Sequence, residues 1–289
     1  MELFFSRALS KLGKLGTFLE LARPWNGVLC GLLALLGYDL LGPMQLYSAL
    51  ILFTVFTLSY MSSTILNDIY DKDIDEINMP YRPLQRKSLT NREAYTFSLL
   101  LAGTSLTLSL LLGIHVIMLL ALFLIVGLFY SLPPFFMSRR VALAQATLAF
   151  TSVTIPLYAG MSYSNMGFLL NQNSLIFVIS MTILAIFIFI IKDFKDIKGD
   201  NLLGKKTLAT RIGIRNAQRM ALAGTLLSYG GLILAFNTIR PIKLITAVLL
   251  VLVLVELLIA ELMAIWKSET GFAGVRLGFF TLLLVLLFS

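Results

Sequence analysis

Eight of the fifteen acidic residues in this 289-residue chain are packed into two short segments. The first reads Asn67-Asp68-Ile69-Tyr70-Asp71-Lys72-Asp73-Ile74-Asp75-Glu76, the second Lys192-Asp193-Phe194-Lys195-Asp196-Ile197-Lys198-Gly199-Asp200. Both contain D-x-x-D-x-x-x-D, as Asp68, Asp71 and Asp75 and again as Asp193, Asp196 and Asp200, and the two copies begin 125 residues apart. Residues i, i+3 and i+7 share one face of a helix, so the spacing predicts two rows of carboxylates. Like charges so placed destabilise an isolated helix and call for a cation. One histidine, His115, and one cysteine, Cys30, leave no means of building a Cys/His metal site or a Ser–His or Cys–His catalytic pair. An all-oxygen donor set suits Mg2+, with Mn2+ as the other candidate. Magnesium characteristically combines one or two carboxylates with waters and phosphate oxygens. Two facing rows therefore fit two or more ions around one diphosphate. Basic residues follow each row, Arg82, Arg86 and Lys87 after the first and Lys205 and Lys206 after the second. Asp73 and Glu76 fall off the row and read as solvated. A single segment of this kind is ordinarily just a charged loop; the repeat of the spacing argues against that reading.

The elements that must carry these rows are membrane helices. Hydrophobic residues make up 58% of the chain and charged ones 13%, about half the charge of a soluble domain. Apolar stretches near the roughly 20 residues needed to cross a bilayer recur at 24–42, 47–67, 93–113, 115–134, 141–161, 174–192, 217–236, 243–266 and 270–288. The expected fold is an all-α membrane bundle of about nine transmembrane helices forming a single domain over 1–289, with aspartate-rich segments at 67–87 and 192–211. Each aspartate segment follows an even-numbered span, so the chain reads as two related halves. Residues 1–23 interleave Leu3, Phe4, Phe5, Leu9, Leu12, Leu15, Phe18 and Leu19 with Arg7, Lys11 and Lys14, the pattern of an interfacial amphipathic helix; a loose basic tail would leave those apolar residues in water. With the N-terminus inside, all 23 Lys and Arg except Arg240 and Lys243 fall on inner segments. That is a positive-inside pattern. It places the N-terminus and both aspartate segments on the cytoplasmic side, and assigns the net charge of +8 to topology, membrane lipid or an anionic substrate rather than to nucleic acid. Cys30 lies within the first span as packing. Glu256 falls near the middle of the eighth span, where a carboxylate is costly, and stays unassigned; Glu261, nearer the inner end, is expected at the interface.

At these residues the chain resembles the UbiA superfamily of intramembrane polyprenyltransferases, over nearly its whole length. N-D-x-x-D-x-x-x-D matches Asn67, Asp68, Asp71 and Asp75, and its extension N-x-P-x-R-P-L matches Asn78, Pro80, Arg82, Pro83 and Leu84. The second motif and the G-K-x-T-L after it match Asp193, Asp196, Asp200, Gly204, Lys205, Thr207 and Leu208. Arg23-Pro24-Trp25-Asn26 looks like the family's R-P-x-N, and Tyr130-Ser131-Leu132-Pro133-Pro134 like its Y-S-x-P-P. The chain departs from the family where Gln85-Arg86-Lys87 replaces P-S-G, Ser138 beside Arg139 replaces a lysine, and Ala144-Gln145 replaces G-N.

The resemblance implies transfer of a prenyl group from a polyprenyl diphosphate to an acceptor, with release of pyrophosphate. It implies magnesium held by Asp68, Asp71, Asp75, Asp193, Asp196 and Asp200, and leaving-group stabilisation by Arg82, Arg139 and Lys205. Asn67 and Tyr130 are the catalytic candidates; the Tyr130 ring can face an allylic cation or serve as an interfacial anchor. Asn26 orients substrate or caps the helix entry, and Arg23 can be a topology charge alone. An aromatic acceptor, a quinone or related lipid-pathway precursor, is the main expectation. The alternative is O-prenylation of a glycerol phosphate lipid of the digeranylgeranylglyceryl phosphate synthase type, whose branch the stretches Glu20–Asn26 and Ile74–Asn78 also resemble. Outside this class stand a non-catalytic isoprenoid-lipid-binding protein and a transporter, the latter disfavoured because the acids lie at the inner edge and no signal of a broken helix is seen. A terpene cyclase would use the same metals without an acceptor.

Overall fold

With no water in a bilayer core, backbone polar groups must pair within their own segment, and helices do this. The computed structural model of the protein describes residues 13–141, 143–165, 171–202 and 204–289, and those residues form helices and no strand. In chain order, α1 (Gly13–Ala22) bends by 53° into α2 (Pro24–Leu40). Then come α3 (Leu46–Tyr70) and α4 (Lys72–Asn78), which carry the first aspartate segment, and α5 (Asn91–Ser109) and α6 (Ile114–Ser131). Next, α7 (Leu143–Ala149) passes through a π-helical turn, Phe150–Thr154, into α8 (Ile155–Ser164). Then α9 (Gln172–Lys192), a 3-10 turn (Asp193–Lys195) and α10 (Ile197–Leu202) carry the second segment. Last are α11 (Leu208–Ile212) and the long helices α12 (Ile214–Ile239), α13 (Leu244–Met263) and α14 (Ser268–Leu287).

Six of the described helices are long and apolar enough to cross a membrane, or seven with the bent α1–α2 pair, where about nine spans were expected. The reasons are local. At 1.5 Å per residue, the 17 residues of α2 reach only about 25 Å, short of a hydrocarbon core of about 30 Å. The expected span at 93–113 becomes α5, which carries the buried Ser98, Ser105 and Ser109. The expected span at 141–161 runs as α7 and α8 joined through the π turn, with right-handed helical angles on both sides of it. Pro156, at the start of α8, has no N–H for the ladder, and Thr151 and Ser152 donate their hydroxyls to the carbonyls of Thr147 and Leu148 at 2.8 and 2.6 Å.

Close packing is set by small residues, as expected where helices associate in lipid. α2 and α8 cross at two glycines: a Cβ on Gly37 falls 2.0 Å from the carbonyl oxygen of Leu157, and one on Gly160 falls 2.0 Å from that of Ala34. The outward faces are apolar, as on α13, where Val251, Leu252, Val255 and Ile259 are exposed while Val253 and Leu257 are buried. Such a surface suits lipid. Of the expected N-terminal amphipathic helix, residues 1–12 lie outside the described ones. The rest, α1, is docked: Leu21 and Ala22 are buried with Met61 and Ile65, and the Phe18 ring lies 4.9 Å from Phe97. Glu261, expected at the interface, is shielded from its surroundings by neighbouring helices. It is fully buried between α12 and α13, where Thr225 donates to its carboxylate at 2.6 Å. Glu256 stays half-buried in mid-helix.

Candidate active site

Each aspartate segment was expected as a row on one continuous helix; each instead kinks at its middle aspartate. Asp71 separates α3 from α4 with φ −97° and ψ 16°, and Asp196 separates the 3-10 turn from α10 with φ −99° and ψ −3°. Both sit in the sparsely allowed bridge region common at active sites. The ladder bends without melting. The Asp71 N–H still donates to the Asn67 carbonyl and the Asp75 N–H to that of Asp71, both at 2.9 Å. In the second copy the Asp200 N–H donates to the Asp196 carbonyl at 3.0 Å. The repeat therefore holds at the level of backbone angles.

One side chain joins the copies. Asn78 donates from Nδ2 to the Asp196 carbonyl at 2.9 Å, and its Oδ1 accepts from the Gly199 N–H at 2.8 Å. A Cβ at Gly199 falls 2.6 Å from that same Oδ1, so glycine is what allows the approach. Gly204, with φ +69°, makes the turn before Lys205. The Lys205 ammonium lies 3.5 Å from Asp71 and 4.0 Å from Asp200, one cation between the two halves.

Arginines neutralise the first row. Arg23 and Arg82 both pair with Asp68, Arg82 at 3.3 Å, and Arg82 also pairs with Asp75. Arg139 donates to Asp71 at 3.2 Å and to the Tyr70 carbonyl at 3.1 Å, stacked over Phe136. Asn67 donates to Asp71 at 3.2 Å. In the second row, Gln145 donates to Asp193 and Lys192 lies 3.7 Å from it.

These groups surround one cavity. Of the residues singled out from sequence, Asn26, Asn67, Asp71, Asp75, Arg82, Tyr130, Asp196 and Lys205 line it; Asp68, Arg139, Asp193 and Asp200 stand behind them. Along α2 the lining runs from Arg23 to Leu33, about 15 Å at 1.5 Å per residue. The far end is apolar, with Cys30, Leu33, Phe123, Val153, Ile188 and Phe279. Sequence reasoning missed Lys192, Lys195 and Arg276, which also line it, and Gln145, which reaches Asp193 from a position where the family pattern is broken. Arg23 proves to be more than a topology charge. Tyr130 has its hydroxyl 3.4 Å from the Lys192 ammonium, which donates to it.

The carboxylates fit a divalent ion that also binds a phosphate. Among the described residues no three acids or other ligand side chains close into a ready-made cage; magnesium uses few protein ligands and completes its shell with water and phosphate oxygens. Asp196 Oδ1 and both carboxylate oxygens of Asp200 are buried without a hydrogen-bond donor, a costly state for an anion unless a cation arrives. Burial pushes Asp75 up to about 6 against the pull of Arg82, and Asp200 up to about 7 against that of Lys205. For Lys205 burial works against the ammonium, but Asp71 and Asp200 outweigh it and hold the group above the usual lysine value.

The sequence model of the UbiA prenyltransferase family matches residues 27–286. The chain is 33% identical over 213 residues to a digeranylgeranylglyceryl phosphate synthase of Methanoregula boonei, covering 72% of each chain. It is also 33% identical over 212 residues to the synthase of that name from Thermococcus gammatolerans, covering 72% of this chain and 73% of the other. A solved structure of a UbiA homologue from Archaeoglobus fulgidus, bound to GPP and Mg2+, superposes with a TM-score of 0.70 at 18% identity, over 94% of this chain and 100% of that one.

Proposed function

The chain belongs to the UbiA prenyltransferase family and is a multi-pass membrane transferase; on that premise we propose that it O-prenylates a glycerol phosphate lipid that already carries one isoprenoid chain, in the manner of a digeranylgeranylglyceryl phosphate synthase. The observation that carries this reading is the 33% identity, over 72% of both chains, to a relative of that name. The aromatic acceptor that was the main expectation gives way to its alternative on that ground.

The cavity supports a diphosphate at its charged end and an isoprenoid tail along its apolar length. Asp71, Asp75 and Asp196, facing the cavity with Asp200 behind, are the residues that would hold magnesium; the dependence on this ion follows the Mg2+ in the Archaeoglobus fulgidus homologue. The bound ion would neutralise charge on the diphosphate oxygens as the leaving group departs. Lys205 and Arg82 are placed to meet the same oxygens, and Arg139 holds Asp71 from behind. The allylic C–O bond breaks with its electron pair going to pyrophosphate, the acceptor oxygen bonds to the allylic carbon, and the hydroxyl proton is released. The Tyr130 ring faces the developing cation, with Lys192 fixing its hydroxyl. Apolar walls keep water from the cation. The positive-inside pattern of the sequence supports a cytoplasmic location for the aspartate end.

The test is a membrane assay with labelled prenyl diphosphates of several lengths against a panel holding geranylgeranylglyceryl phosphate and aromatic acceptors. Ether-lipid product with matching pyrophosphate, abolished by chelator, is the expected result. Transfer to an aromatic acceptor alone overturns the acceptor; donor binding with no pyrophosphate released overturns catalysis.

A further inference from the structure

The donor leaves one wall of the cavity unexplained. Tyr60, Ser63, Thr64, Asn67 and Asp71 line it from α3, and steps of three and four residues put them on one helical face. Asn67 and Asp71 are paired at the charged end. Beyond them, among the described residues, the hydroxyls of Tyr60, Ser63 and Thr64 have no hydrogen-bond partner. In a helix, Ser and Thr hydroxyls can bond back to the carbonyl four residues earlier. Thr54 and Ser59 on the same helix do so, donating to Leu50 and Val55 at 2.7 and 2.8 Å. The other cavity hydroxyls are committed as well: Thr151 and Ser152 bond back to Thr147 and Leu148, and Tyr130 accepts from Lys192. Gly127 of α6 faces Ser63, where a Cβ would fall 2.8 Å from Oγ, so the glycine leaves that hydroxyl room. We infer that Tyr60, Ser63 and Thr64 form an acceptor subsite in this cavity, a strip that hydrogen-bonds the glycerol oxygens of the acceptor lipid.

The donor does not supply partners for this strip. All its oxygens are in the diphosphate, which belongs with Asp71, Asp75 and Asp196. At 1.5 Å per residue, Thr64 stands about 10 Å and Tyr60 about 16 Å along α3 from Asp71. Helical side chains lean toward the N-terminus, which on α3 is away from Asp71. At that depth the donor is hydrocarbon. A hydroxyl left against hydrocarbon without a partner is costly, so the occupant of this wall brings its own oxygens. The glycerol backbone of an ether lipid does: its ether oxygen accepts, and its free hydroxyl both donates and accepts. Leu29 and Leu33 of α2, Ile188 of α9 and Phe279 of α14 offer only hydrocarbon, which suits an isoprenoid chain. A few placed polar groups in a mainly apolar pocket fix orientation. Here they would hold the acceptor's free hydroxyl on the α3 side of the allylic carbon. The strip rests on the proposed glycerol lipid acceptor and gives the neutral part of that lipid its place.

The test uses the purified full chain with magnesium and two acceptors, geranylgeranylglyceryl phosphate and its analogue with a methylene in place of the ether oxygen. Tyr60→Phe, Ser63→Ala and Thr64→Val each remove a hydroxyl and little else. Thr54→Val, whose hydroxyl already has a backbone partner, is the control. Each of the three should raise the acceptor KM on the order of 3–10-fold, the worth of a neutral hydrogen bond, and leave the donor KM unchanged. Pyrophosphate released without ether product should rise, as water takes the place of a misheld acceptor hydroxyl; a loss of packing alone would lower both products together. The wild-type protein should favour the ether lipid over the methylene analogue, and at least one variant should lose that preference. Thermal melts check folding, and the preference of the wild-type protein carries the test if the variants fail to fold. An acceptor KM unchanged in all three, a raised donor KM in its place, the same effect from Thr54→Val, or no preference for the ether lipid overturns the strip. Transfer by the wild-type protein to an aromatic acceptor alone, with that acceptor's KM raised in the three variants, overturns the glycerol lipid and leaves the strip standing as the acceptor's site.

Discussion

Asp71 and Asp73 are two residues apart in sequence, and the fold gives them opposite surroundings. Asp71 is buried among Asn67, Arg139 and Lys205, whereas Asp73 is exposed. Asp71→Ala or Asp196→Ala should lower turnover by on the order of 100-fold or more, by removing a ligand rather than core packing, while Asp73→Ala should be mild; steady-state rates on protein of matched melting temperature decide it. Acidity offers a second check. Burial holds Asp75 near 6 and Asp200 near 7 in the folded chain, above ordinary aspartate. Between those values and the lower unfolded ones, the folded state binds more protons, so stability falls as pH rises. In chelator the melting temperature should fall between pH 5 and pH 8, and magnesium should restore most of the loss at pH 8. A melting temperature in chelator that rises over that interval contradicts it. The residues legible in the sequence were those with local spacing. Arg23, which grips Asp68 from 45 positions away, and Gln145, which grips Asp193 from 48, were not, because such pairs exist only through packing.

The element that matters most is the kink. Spacing by three and seven announced a helical face, yet nothing in those letters announces a break at Asp71 and at Asp196, where the angles nearly coincide. A break relieves the crowding of like charges along a regular helix, and the Asn78 contact across the copies holds the second one in place. Gly199→Ala drives a Cβ into Asn78 at 2.6 Å and should reduce magnesium-dependent turnover about tenfold or more, the cost of losing a ligand-orienting contact. Gly204→Ala meets no neighbouring atom, so its penalty is backbone strain at φ +69°, roughly 1–2 kcal/mol. Denaturation and rate measurements on both variants separate a contact from a strained turn. The π turn at Phe150–Thr154 shows the same blind spot: Pro156 was visible, but the register change ahead of it, with Thr151 and Ser152 donating back to the carbonyls of Thr147 and Leu148, was not.

At the scale of the molecule, the sequence made the membrane nature and the repeated acidic motif plain, because apolar length and motif spacing are properties of the string. The number of spans was less plain: among the described residues six or seven pass by length and composition where about nine were expected, because crossing depends on how length is divided among bent and short pieces. Sidedness can be measured on a Cys30→Ser background: Asp73→Cys and Lys198→Cys, both exposed beside the motifs, should label from the cytoplasmic face, and Lys243→Cys from the opposite one. Labelling of the two motif positions from different faces contradicts the arrangement. The Asn78 bridge also sets a clock. Its partner Gly199 lies 121 residues later in the chain, and at about 5–20 residues per second of synthesis the wait is roughly 6 to 24 s. Throughout that interval the first aspartate segment is in the membrane without Lys205 or the second set of acids. A half-made chain can meet an isoprenoid diphosphate, but it lacks the groups to release a reactive carbocation into the surrounding lipid.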